Sequence, residues 1–130
     1  MFHVVAGVDD NEERALEQAE TIASLPAAPD EITVTVVHTF TFKAPDTSID
    51  DIEAVAAVAE TLEERGIQCE VHEGNGEPSE YLVQYAAEQG ADLICVGGRK
   101  RTPAGKALFG SVSQQVLLGS DRPVLVTPNP

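Results

Sequence analysis

The amino-acid sequence predicts an α/β fold: one five-stranded parallel sheet with helices on both faces. Short apolar runs of strand length alternate with longer segments in which apolar residues recur at helical spacing. The apolar runs are rich in Val and Ile and hold few polar residues, which is typical of strands buried on both faces. Together they give the order βαβαβαβαβ, whose crossovers are right-handed. We therefore predict one domain over residues 1–130.

The first half of the chain gives two strands and the first helix. The first strand is predicted at Val4–Val8, and Asn11 can cap the helix that follows it. That helix has an apolar stripe on one side and ends before Pro26. The second strand, Ile32–Phe40, is rich in Val and Thr, and the segment Thr41–Ser48 is predicted to be a loop.

The second half repeats the alternation. A second helix is predicted at Ile49–Arg65, because its apolar residues recur at helical spacing and Gly66 is a fitting stop. The remaining elements are a third strand at Ile67–His72, a turn at Gly74–Gly76, a third helix from Pro78 to Gly90, a fourth strand at Asp92–Val96, a fourth helix from Ser111 and a last strand at Pro123–Thr127.

Two strand orders fit this alternation, the flavodoxin-like order 2-1-3-4-5 and the related order 3-2-1-4-5. We adopt the second order as the prediction. It makes strands one and four neighbours at the switch point, where ligands bind beyond the carboxyl ends of the strands. Asp9 would then lie beside Gly97.

The segment after the fourth strand has the features of an anion site. Gly97-Gly98 breaks the strand, and the four basic residues that follow are half of the eight in a chain with 22 acidic residues: Arg99, Lys100, Arg101 and Lys106. Ser111 and Gln114 have capping-box spacing, so Ser111 is predicted to be the N-cap of the fourth helix. Backbone amides and a helix dipole bind phosphate in this arrangement. The alternative is an ordinary loop with surface cations, since neither a Walker A motif nor GxGxxG is present.

The charge balance limits the possible partners. A net charge of −14 argues against binding to nucleic acid or to an anionic membrane. The sequence has no apolar run long enough to span a bilayer and no charged leader, so we expect a cytoplasmic protein. The acidic composition also suggests a host with a saline cytoplasm, such as a haloarchaeon; the alternative is an ordinary acidic protein.

Cysteine and histidine give no sign of a redox or metal site. Cys69 and Cys95 lie within predicted strands and not in a CxxC pair, so we interpret both as small buried apolar residues. His3, His38 and His72 are far apart and lack metal-ligand spacing.

Five short motifs are similar to those of one protein family. The spacing G-x2-G-x9-G-[ST] fits Gly97, position 100, Gly110 and Ser111. The other four motifs are Val8-Asp9-Asp10-Asn11, Val37-His38-Thr39, Asp92-Leu-Ile-Cys-Val-Gly and Arg122-Pro-Val-Leu-Val-Thr. Over nearly its whole length the chain resembles the universal stress protein family. This resemblance implies a Rossmann-like fold of the adenine nucleotide alpha hydrolase-like type.

The resemblance also implies a binding site for ATP, with or without Mg²⁺. Asp9 would contact the nucleoside, and Thr39 would line the adenine pocket. Ribose and phosphates would be contacted from the loop after the fourth strand and the helix that follows, by Gly97, Gly110 and Ser111 with Val112 nearby.

Three positions depart from the family pattern. Lys100 replaces the second glycine of the nucleotide motif, Thr39 replaces a valine, and Asp10 replaces a glycine. Gly98 supplies another flexible point in the loop, and Lys100 brings a cation, so both stay among the candidate site residues.

The expected function is that of an ATP-binding stress-response regulator acting as a homodimer. The resemblance implies antiparallel pairing of the last strand, through Val124, Leu125 and Val126. One alternative is a nucleotide-free protein that works only through protein partners. Another is a slow ATPase or phosphotransferase, although the sequence places no clear general base near Ser111.

Overall fold

A computed structural model describes residues 1–98 and 110–128. The four basic residues at positions 99–106, Lys100 among them, lie outside the described residues. The described elements are β1 (Phe2–Gly7), α1 (Glu12–Ala23), β2 (Ile32–Phe40), α2 (Glu53–Glu64), β3 (Gln68–Asn75), α3 (Pro78–Glu88), β4 (Leu93–Gly97), α4 (Ser111–Gly119) and β5 (Val124–Thr127), with 3₁₀ turns at Pro29–Glu31 and Ile49–Asp51.

The five strands form one parallel sheet in the order β3-β2-β1-β4-β5, which confirms the predicted fold class and order. In the register of the central strands, Ala6 of β1 lies opposite Val36 of β2 and Cys95 of β4. The chain leaves β1 toward β2 and leaves β4 toward β5, so the two connections diverge. That divergence opens a crevice at the carboxyl ends of β1 and β4.

Two apolar cores cover the two faces of the sheet. Val4 and Ala6 of β1 belong to the core shared with α1 and α2, and Val5 belongs to the core on the α3 and α4 side. None of these three side chains is exposed to solvent. The continuous apolar run of β1 is therefore explained by burial on both faces, as predicted from the sequence.

Two element boundaries differ from the predicted ones, and particular hydrogen bonds explain both differences. Ser48 and Asp51 form a capping box on a 3₁₀ turn, and Ile52 is extended, so α2 begins only at Glu53. At the other boundary, β3 continues to Asn75 because that residue pairs with Phe40 of β2. The turn that was predicted at Gly74–Gly76 therefore follows the strand at Gly76, whose φ of +93° suits glycine.

The predicted N-cap of α4 was wrong by one residue. Gly110 occupies the cap position, and its carbonyl oxygen accepts from the Gln114 N–H at 3.0 Å. Ser111 is therefore the first helical residue, and the cap position supplies no side-chain hydrogen bond. Within residues 1–98 and 110–128, no helix has the length and apolar character needed to cross a membrane.

Candidate nucleotide-binding site

A cavity of about 400 Å³ lies beyond the carboxyl ends of β1, β2 and β4. Its lining combines the β1–α1 connection, the end of β2, the end of β4, one side of α3 and the start of α4. The cavity thus coincides with the crevice that the strand order creates.

The structure brings together five of the eight candidate site residues as lining of this cavity: Asp9, Thr39, Gly97, Gly110 and Val112. Asp9 and Gly97, which the predicted strand order placed side by side, both line it. Gly98 and Ser111 are not among the described lining residues, and Lys100 lies outside the described part of the chain.

Gly98 has a packing role at β5. Its N–H donates to the Thr127 carbonyl oxygen at 2.9 Å. A Cβ atom at position 98 would lie 2.7 Å from that same oxygen, so a side chain here would push the backbone of β5 away. The close approach of two backbones therefore requires glycine at this position.

The first turn of α4 is fixed to the end of β4. The Ser113 hydroxyl, nearly fully buried, donates to the Gly97 carbonyl oxygen at 2.8 Å. The first N–H groups of α4, as of any α-helix, lack intrahelical acceptors. The cap residue Gly110 has no side chain to satisfy them, and it lines the cavity. The positive end of the helix dipole therefore lies at the edge of the cavity.

Asp9 is held by two groups of its own neighbourhood. One carboxylate oxygen, Oδ1, accepts from the Asn11 N–H at 2.9 Å. The other, Oδ2, accepts from Arg14 Nη2 at 2.7 Å and Nε at 3.3 Å. Asn11 also caps α1 by accepting from the Arg14 N–H at 2.9 Å, as the sequence predicted. The carboxylate thus lies at the cavity with a fixed orientation and a paired charge.

Arg14 and Gln18 are lining residues that sequence reasoning missed. Gln18 is 1% exposed, and its Nε2 donates to the Gly7 carbonyl at 2.9 Å and reaches the Cys95 carbonyl at 3.5 Å. It thereby joins the ends of β1 and β4 beneath the cavity. The available signal was one polar residue among the apolar positions of α1, next to Ala19.

The apolar part of the lining comes from strand ends and from α3. Buried side chains contribute Val8, Val37, Leu82 and Val96. The His38 ring is oriented by Nδ1, which donates to the Val8 carbonyl at 2.8 Å, and it packs edge-on against Phe40 at 4.8 Å. A ligand with a flat aromatic group would therefore find apolar contacts in this lining, next to charged groups.

The surroundings of both cysteine thiols favour the protonated form. Burial raises the pKa of Cys95 to about 12. Burial, followed by the charges of Glu63 and Glu70, raises the pKa of Cys69 to about 11. Cys95 is fully buried, as predicted, whereas Cys69 is only half-buried on the edge strand β3.

The histidines lie in three separate places. His3 Nε2 bonds to the Thr35 hydroxyl at 2.9 Å, and the His72 ring stacks on Tyr85 at 4.2 Å. Across the described ranges, no three side chains of His, Cys, Asp or Glu gather in a way that could hold a metal ion.

The chain is similar in sequence to one protein family. A profile of the universal stress protein family matches residues 1–128. The chain is 30% identical over 121 residues to the universal stress protein YxiE of Bacillus subtilis, and the alignment covers 86% of this chain and 82% of that protein.

Solved structures extend the match to the whole fold. A universal stress protein from Archaeoglobus fulgidus has a TM-score of 0.79 at 29% identity, over 98% of both chains. Another, from the same organism in complex with dAMP, gives 0.74 at 26% identity, also over 98% of both. A universal stress protein in complex with cAMP gives 0.74 at 26% identity, over 99% of this chain and 98% of that chain. From the profile match and the matching folds together, the chain belongs to the universal stress protein family.

Proposed function

We propose that this protein binds an adenine nucleotide, ATP or its monophosphate, in the cavity beyond β1 and β4 and acts as a stress-response regulator. The observation that carries the proposal is the lining of one cavity, which joins an apolar slot to the uncapped N-terminus of α4. The related proteins whose structures hold dAMP and cAMP support the choice of an adenine ring as the apolar group.

Each part of the nucleotide has a counterpart in the lining. Adenine packs among Val37, Leu82 and Thr39, which line the cavity at the end of β2 and on α3. The Asp9 carboxylate can accept hydrogen bonds from ribose hydroxyls. Phosphates lie toward Gly110 and the first N–H groups of α4, where the helix dipole contributes about 0.3–1 kcal/mol for an exposed anion.

A regulatory role is favoured over catalysis by the state of Asp9. Its two oxygens already accept from Asn11 and Arg14, and the ion pair with Arg14 makes the carboxylate a weaker proton acceptor than a general base needs to be. The proposed regulator acts as a dimer through β5 and works in a saline cytoplasm. The second candidate, a nucleotide-free protein that works through partners, becomes the better one if the cavity binds no nucleotide.

Mass spectrometry of small molecules released from denatured, purified protein, with titration calorimetry of ATP, AMP and adenosine, tests the proposal. Gly110→Val is the informative variant, because Gly110 has an extended backbone that valine can adopt, so the added side chain fills space at the cavity edge. We expect it to weaken ATP strongly. Ser111→Ala is expected to weaken ATP several-fold and adenosine less, since only ATP places phosphates at α4.

Lys100→Gly restores the family's glycine in the loop outside the described residues. If Lys100 binds phosphate, this change lowers the affinity for ATP. If Lys100 closes the site, the change raises that affinity. Wild-type protein that neither carries nor binds any adenine nucleotide would overturn the proposal.

A further inference from the structure

Arg14 is more buried than the carboxylate it pairs with. Its side chain is 15% exposed, whereas that of Asp9 is 46% exposed. A guanidinium withdrawn from water needs strong hydrogen-bond acceptors, and it is satisfied best by anions.

The hydrogen bonds within the described residues use only part of that guanidinium. Nε and Nη2 both donate to a single oxygen, Asp9 Oδ2, at 3.3 and 2.7 Å. Nη1 makes no hydrogen bond to any residue of the ranges 1–98 and 110–128. Arginine carries five N–H donors in a planar fork that matches phosphate, so one side of the fork has capacity for a second anion.

Arg14 lies against the last residue of β4. A Cβ atom at Gly97 would lie 3.6 Å from both Cβ and Cδ of Arg14, so the aliphatic part of the arginine passes directly over this glycine. Gly97 in turn accepts from Ser113 in the first turn of α4. The arginine therefore lies beside the residue that Ser113 joins to α4, and it lines the same cavity as Gly110 in front of that helix.

Arg14 also differs from the other described cations. Lys43 pairs with Glu73, Arg65 with Glu20, and Arg122 with Asp121. None of these three lines the cavity, so Arg14 is the one cation among the described lining residues. In a chain of net charge −14, a positive group in the lining makes the cavity more attractive to an anion than the rest of the surface is.

We propose that Arg14 is a specificity-determining residue of the cavity: it binds the phosphate group of a nucleotide while Asp9 keeps its guanidinium oriented. This inference rests on the proposed nucleotide function and adds the means by which the site prefers a nucleotide to the uncharged nucleoside. Asp9 then has two tasks, accepting from ribose and holding Arg14, and its charge is offset when no ligand is bound.

The test compares AMP with adenosine by titration calorimetry on wild type, Arg14→Gln, Arg14→Lys and Asp9→Asn. Arg14→Gln keeps the helix cap, because Asn11 accepts from the backbone N–H of residue 14. We expect it to lower the affinity for AMP by about ten-fold or more and the affinity for adenosine by less than about two-fold. Arg14→Lys should restore part of the AMP affinity, since lysine keeps the charge but not the planar fork.

Asp9→Asn gives the opposite change in preference. It removes the negative charge that strengthens the hydrogen bonds to ribose in both complexes and that pairs with Arg14. The guanidinium then pairs with the phosphate alone, so the ratio of AMP to adenosine affinity should rise. Arg65→Gln is the matched control, because it removes the same charge from an ion pair between the end of α2 and α1, at the other end of the sheet. It should leave that ratio unchanged, and circular dichroism with thermal unfolding confirms that each variant folds.

Equal weakening of AMP and adenosine in Arg14→Gln, or no weakening of either, would overturn the role of Arg14 while leaving nucleotide binding intact. The ratio of AMP to adenosine affinity could also fall as much in Arg65→Gln as in Arg14→Gln. The loss would then come from net charge alone, and the role of Arg14 would be overturned. Wild-type protein that binds neither ligand would overturn the proposed function and this inference together.

Discussion

Two serines in the first turn of α4 show how a single residue's surroundings decide its role. Ser113 is buried and donates to Gly97, which holds the end of β4 against the helix. Ser111 is exposed, and the described structure gives its hydroxyl no capping bond. The nucleotide motif contains only Ser111, and the spacing of the two serines does not distinguish structural support from ligand contact.

Stability measurements should separate the two serines. Ser113→Ala leaves the Gly97 carbonyl without its donor, so we expect the free energy of unfolding to fall by about 1–3 kcal/mol. Ser111→Ala should change it by less than about 0.5 kcal/mol. Urea unfolding of both variants checks this, and equal losses would show that Ser111 also supports the fold.

Cys95 makes stability depend on alkaline pH. Burial raises the pKa of this thiol from 9.0 to about 12, so the folded state favours the neutral form. The stability that this preference contributes is fully present below pH 9 and is lost as pH rises toward 12. Relative to Cys95→Ala, wild type should lose about 1 kcal/mol of unfolding free energy per pH unit above the unfolded pKa. Parallel stability curves for the two proteins between pH 8 and about 10.5 would contradict this.

At the scale of elements, the alternation of apolar strands and amphipathic helices was enough to predict a parallel sheet with helices on both faces, although two strand orders fitted it. Burial on both faces leaves a continuous apolar run that is read directly from the sequence, as in β1. The boundaries at Ile52 and Gly110 were not predictable in this way, because they depend on particular local hydrogen bonds. Arg14 and Gln18 were missed because their partners, Asp9 and the ends of β1 and β4, converge only in the folded chain.

The two edges of the sheet differ in chemistry. β3 carries exposed acidic and amide side chains at Gln68, Glu70, Glu73 and Asn75, which discourage pairing with another strand. β5 presents Val124, Leu125 and Val126, all partly buried in the described structure. Pairing between copies is therefore expected at β5.

We predict that Leu125→Lys shifts a dimer toward monomer in light scattering at micromolar concentration. Val71→Lys on the opposite edge is the matched control, because Val71 is 41% exposed on β3. It should leave the mass unchanged. Circular dichroism checks that Leu125→Lys folds. A wild-type monomer, or a dimer that survives in folded Leu125→Lys, would contradict pairing through β5.

For the whole molecule, charge is the dominant surface property. The chain has 22 acidic residues against eight basic ones. The four basic side chains in the described part of the chain each pair with a carboxylate, so most acidic groups there have no cation beside them. Repulsion among them opposes the compact state, and at 0.1 M salt ions largely screen the repulsion between charges more than about 10 Å apart.

The melting temperature should therefore rise between low salt and molar KCl. Sucrose at matched osmolality is the control for excluded-solute effects that do not depend on charge. A flat or falling melting temperature with KCl would contradict both the screening argument and the proposed adaptation to a saline cytoplasm.

A crystal structure of the protein grown with AMP in molar KCl is the most direct test of the proposed site. We expect the adenine ring among Val37, Leu82 and Thr39, and the phosphate within hydrogen-bond distance of the α4 N-terminus and of Arg14. A nucleotide bound outside this cavity, or a cavity without nucleotide at saturating AMP, would contradict the proposal.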